Sequence, residues 1–177
     1  EPGPELGYIN MLEDTDGVFR HYQVVANIDG MLYLPSIGLK TLEAFTGSSH
    51  KLEINTQGTA LMKFDNKEIF VNNRGETKIR WLGAKAKFKD ISLHKVVNAK
   101  QDDKKMKAFF NNKIVFVGST ATGAHDLRNT PVDSKMPGVY AHMNMIHQLQ
   151  HGYFYQNLDD SIKYSFYLLS FGLTVLL

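Results

Sequence analysis

Lys113-Ile114-Val115-Phe116-Val117-Gly118 is the stretch on which the fold turns. It is a short unbroken apolar run bounded by polar residues and glycine, the pattern expected of a strand buried on both faces of a sheet. Helical patterns lie on either side of it. Upstream, Asp102 or Asp103 can cap a helix running to about Phe110, and Ser92 a short one holding Leu93, Val96 and Val97. Downstream, Gly138 to Leu149 reads as a helix with Val139, Met143, Ile146 and Leu149 on one side. Farther back, Pro35-Ser36 opens a helix through Phe45, with Ile37, Leu39, Leu42 and Phe45 as its apolar stripe and Gly47 at its end.

The remaining segments read as β structure. Gly7 to Asn10 is a short extended piece, and Glu13-Asp14-Thr15-Asp16-Gly17 an acidic turn. Val18 to Ile28 reads as a strand, returned through Asp29-Gly30 by Met31 to Leu34. Lys67 to Val71 and Thr77 to Leu82 flank Asn72-Asn73-Arg74-Gly75 and predict a second hairpin. Strands interleaved with helices give an α/β class: a mixed sheet with a central buried strand flanked by helices, plus β-hairpins.

Composition narrows the function. At 177 residues the chain suffices for one domain, and a net charge of +2 gives no electrostatic reason to expect nucleic acid as a partner. The densest basic patch, Lys100 to Lys107, also holds Asp102 and Asp103, as a solvated helix face does. Cysteine is absent, which excludes disulfides, thiolate metal sites and a cysteine nucleophile. Residues 1–6 read as a linker or an artificial edge. After Lys163 no charge occurs through Leu177. That apolar run, opened by Tyr164, Phe166 and Tyr167, reads either as the beginning of a transmembrane helix or as a core or amphipathic helix.

No catalytic constellation rises above background. Gly118-Ser119-Thr120-Ala121-Thr122-Gly123 lacks the Gly-Lys of a P-loop, has Thr120 where the dinucleotide fingerprint needs glycine, and has no glycine two residues before Ser119. A hydrolase built on Ser119, His125 and Asp126 would need chemistry that no spacing here signals. His147 and His151 stand one helical turn apart without the glutamate of a zinc protease, and with His142 they read as surface histidines; no metal and no cofactor is expected. Asp126 can accept hydrogen bonds from Ser119 or Thr120, or pair with Arg128. Asp14 and Asp16 read as turn formers beside Gly17.

The ordered set Gly7-Tyr8-Ile9-Asn10, Asp14 to Arg20, Leu34-Pro35-Ser36-Ile37, Ile79-Arg80-Trp81-Leu82-Gly83, Asn112 to Ala121, Asp126, Thr130-Pro131 and Met136 to Asn144 resembles the class-two CHASE domains. These are extracellular sensory domains associated with bacterial cyclases and histidine kinases, and the likeness spans about residues 7 to 155. The resemblance implies an extracytoplasmic input domain over residues 7–158 and a juxtamembrane segment with the start of a first transmembrane helix over 159–177. It implies location at the inner membrane, a homodimer, an unknown small-molecule or protein stimulus, and a cyclase or kinase as output, with no catalysis in this chain. The family's domain usually begins with a further α/β segment, so the missing N-terminal part of its own domain is an expected partner. Expected ligand-facing residues are Ser119, Thr120, His125, Asp126 and Arg128, then Arg20 and Asp16, each with a structural role as the alternative. A structural module of a membrane-anchored envelope complex is the competing reading.

Overall fold

A computed structural model describes residues 6–29, 32–54, 60–72, 74–84, 88–100, 102–120, 126–155 and 160–176. The chain runs β1 (His21–Gln23), β2 (Val25–Ile28), β3 (Leu32–Pro35), α1 (Ile37–Thr46), β4 (His50–Ile54), β5 (Ala60–Phe64), β6 (Lys67–Val71), β7 (Glu76–Lys78), α2 (Leu93–Val97), α3 (Lys104–Phe110), β8 (Leu127–Arg128), β9 (Met136–Pro137), α4 (Val139–His151) and α5 (Asp160–Leu176). The class is α/β, but the sheets are small and antiparallel: β1 with β7, β2 with β3, β4-β5-β6, and β8 with β9.

One core joins these pieces. Tyr22, Val24, Leu39, Leu42, Met62, Ile69, Met145 and Leu149 are each nearly or completely buried, so α1 and α4 pack together over strands β1, β5 and β6. Helix α1 forms where its caps predict. Ser36 Oγ accepts from Leu39 N at 3.2 Å, and Gly47, at φ 72°, ends it in the left-handed region. Helix α3 is capped by Asp103, whose carboxylate accepts from Lys105 N and Met106 N. Alternation places Met62 and Phe64 on β5, and Ile69 and Val71 on β6, on the buried face.

Helix α4 is stitched to the chain after β7 by amide side chains. Gln148 Oε1 accepts from Arg80 N at 2.7 Å and its Nε2 donates to Lys78 O at 2.9 Å. Asn144 Oδ1 accepts from Leu82 N at 2.9 Å. Four helical residues rise about 6 Å and two strand residues about 6.6 Å, so amides one turn apart meet alternate backbone groups of an extended chain.

Three expectations need correction. Residues 113–118 are extended but form no ladder among the described residues; Ile114 and Phe116 pack on the core, while Val115 and Val117 are 52% and 79% exposed. An apolar run does not say whether one face or both are covered, and here only one is. The turn at 72–75 exists, with Asn72 N donating to Glu76 O, yet β7 pairs with β1 and β6 with β5, so the two flanking strands do not make a hairpin. The expected strand 18–28 is two, broken at Val24.

At the C-terminal end, α5 is a 17-residue helix whose apolar side chains, among them Tyr167, Leu168 and Phe171, are exposed. Among the described residues no helix is long and apolar enough to cross a membrane. The expectation that a transmembrane helix starts here therefore has no support from helix length: 17 residues rise about 26 Å, short of a roughly 30 Å hydrocarbon core.

Candidate functional site

At the head of α4 lies a cleft of about 540 Å³. One wall is the segment from Ile9 to Leu12, with Ile37 from the start of α1. Phe116 to Gly118, Asp126, Arg128, Gly138, Val139 and His142 complete the lining. Two glycines allow this closure. A Cβ on Gly118 would stand 2.8 Å from Val139 Cβ, and one on Gly138 would stand 2.5 Å from an Asp126 carboxylate oxygen. Only glycine lets the extended segment and the carboxylate approach the first turn of α4 so closely.

Asp126 thus lies over the helix N-terminus, where a negative charge is favoured by the dipole. Its Oδ1 is 3.2 Å from Arg128 Nη2, and its backbone oxygen accepts from Gly138 N. Arg128 also lays its guanidinium over the Phe19 ring at 5.2 Å, and its Nε is buried with no partner among the described residues.

His142 is the second polar anchor. Its Nδ1 is 2.7 Å from the buried Tyr22 hydroxyl, and its ring stacks on Phe116 at 6.3 Å. Burial pushes His142 down to about 4, against the pull of the nearby Asp126 charge, so the ring is neutral at physiological pH. Burial likewise pushes Tyr22 up to about 12.

The residues expected from sequence divide. Asp126 and Arg128 line the cleft and pair with each other. Ser119 and Thr120 are exposed beyond Gly118, do not line the cleft and make no hydrogen bond to Asp126. His125 lies outside the described residues. Arg20 and Asp16 belong to a separate cluster: Arg20 Nη1 donates to Asp14 and Asp16 and Nη2 to Asp16, while His21 Nδ1 sits 2.8 Å from Asp14. Burial tends to raise the Asp14 carboxyl, but the bonds from Arg20 and His21 outweigh it and hold Asp14 below the usual range; the Arg20 bond does the same for Asp16.

His142 was not expected here. Its signal was its place in the apolar stripe Val139, His142, Ile146, where a surface histidine does not belong. The other helical pair, His147 and His151, has rings stacked at 4.1 Å, and among the described residues no group of three or more possible ligands could hold a metal. The CHASE2 domain family model matches residues 2–177. No curated protein and no solved structure matches the chain.

Proposed function

The chain belongs to the CHASE2 domain family, a family of sensory, non-catalytic extracytoplasmic domains, and on that premise we propose that it is the input domain of a bacterial transmembrane receptor. A stimulus received in the cleft biases the position of α4, and the segment after α4 carries the change through α5 to a cytoplasmic cyclase or kinase. Such coupling needs two arrangements that the stimulus stabilises unequally. The observation that carries the reading is that the cleft is built on the first turn of α4, whose other end leads toward a helix of uncovered apolar residues.

We read α5 as the beginning of the membrane anchor. Its hydroxyls are turned onto its own backbone: Ser165 Oγ donates to Ser161 O, Ser170 Oγ to Tyr167 O, and Thr174 Oγ1 to Ser170 O. A helix that meets its polar groups internally suits hydrocarbon surroundings. In this reading the domain sits on the periplasmic face of the inner membrane, beside a second copy. This chain has no cysteine, so Lys107→Cys on the exposed face of α3 gives it a single thiol, followed on the peptide that carries residue 107. A membrane-impermeant maleimide is expected to modify it in intact cells; modification only after lysis would overturn the placement.

An assembly module is the second reading, favoured by the exposed Leu32, Tyr33 and Leu34 on β3. Val139→Trp, which fills the cleft, separates the two. It alters the output of the attached cyclase or kinase under the receptor reading and leaves it unchanged under the assembly reading.

A further inference from the structure

We propose that the cleft at the head of α4 binds a small uncharged molecule carrying a carbonyl-type hydrogen-bond acceptor on an apolar body. This deepens the receptor reading and rests on it for its biological meaning, although binding itself is a property of the folded chain. The volume of about 540 Å³ falls inside the range of small-molecule sites, roughly 300 to 1,000 Å³. Ile9, Met11, Ile37, Phe116 and Val139 make most of the wall apolar.

The few polar groups have defined bonding states. The Tyr22 oxygen accepts from Gly38 N at 3.3 Å. The acceptor within reach of its own proton is His142 Nδ1, 2.7 Å away, so the Tyr22 hydroxyl donates there. The imidazole proton of neutral His142 is therefore on Nε2, which becomes an N–H donor. That edge points away from Tyr22, has no partner among the described residues and is not sealed from solvent, so it faces the cleft.

Arg128 Nε is a second N–H without a partner, and a buried donor left unpaired gains by moving onto an acceptor. Both residues line the cleft, so once Arg128 turns its buried Nε outward the complement of the two donors is an oxygen with two lone pairs. Charge selects against ions, because Asp126 and Arg128 offset each other. An ion entering the cleft gives up its hydration there and meets an attraction and a repulsion that offset each other.

The test titrates the full chain, held in lipid nanodiscs and labelled with ¹⁵N-histidine, with hexanamide. Hexanoate and hexylammonium serve as charged counterparts of the same length. Hexanamide is expected to move the His142 Nε2 signal saturably, with the millimolar affinity usual for a fragment of this size. Either charged counterpart, and His142→Phe, whose titration is followed on the ligand's own proton signals because the substitution removes the reporter, are expected to weaken binding roughly fivefold, the scale of one lost hydrogen bond. Arg128→Gln is the second variant, expected to weaken binding similarly, and it decides the matter if His142→Phe does not fold. The proposal is overturned by the absence of saturable movement, by equal or tighter binding of either ion, or by unchanged affinity in the variants that fold. Maleimide labelling tests the receptor reading separately, so either idea can fail alone.

Discussion

Two polar clusters sit near one another in sequence-predicted sites, and they are bonded in opposite ways. Around Arg20 the groups close on each other: Asp14, Asp16 and His21 engage both ends of the guanidinium and its neighbouring carboxylate, which leaves a braced turn. Around Arg128 the groups stop short of closure, with Asp126 holding one nitrogen, Nε unpartnered, and His142 presenting one edge to the cleft. Charged residues in a loop therefore do not mark a receptive site. What sets the proposed site apart is bonding capacity that the fold creates and does not consume.

The largest expected effect breaks the open cluster by protonation. His142 is neutral in the fold down to about pH 4, whereas the unfolded chain takes up that proton near pH 6.5. Stability is therefore intact above pH 6.5 and falls as the pH drops toward 4, by about 3 kcal/mol in all. Chemical denaturation at a series of pH values should show this slope, and His142→Phe should flatten it. His147, also lowered by burial, adds a smaller loss in the same window that survives the substitution. A pH-independent stability between 6.5 and 5 in the parent chain would contradict the buried, neutral ring.

Next in size is the steric closure. Gly118→Val places its first carbon within 2.8 Å of the Val139 side chain, and overpacking of this kind costs about 2 kcal/mol, measurable by urea denaturation. Comparable in size is Gln148→Leu, which strands Arg80 N–H and Lys78 C=O and should cost about 2 kcal/mol by the same assay while leaving hexanamide affinity unaltered. The smallest effect belongs to the closed cluster. Asp14→Asn loosens a solvent-screened brace, so Tm should fall by no more than about 4 °C, with no change in ligand binding. A large loss of binding in Asp14→Asn would erase the distinction between the two clusters.

The legible parts of the fold are those whose cause is local. Ser36 and Gly47 announce α1, and the apolar positions from Val139 to Leu149 announce α4, because caps and helical period act within a few residues. Pairing was not legible. The turn at 72–75 says that the chain reverses but not that β7 will join β1, more than 50 residues away. Strands β4 and β5 escaped notice because their apolar residues are diluted by Lys51, Glu53 and Lys63. The site followed the same rule. Asp126 and Arg128 are two residues apart and were found together, whereas the bond that makes His142 a cleft residue comes from Tyr22, 120 positions away.

The amide bonds of Asn144 and Gln148 have a mechanical consequence for α4. Sliding the helix along its axis would break all three bonds to residues 78–82 at once, and none re-forms until a full turn has passed. Tilting the helix about its middle moves the two attachments in opposite directions and strains both, so α4 and residues 78–82 move as one body.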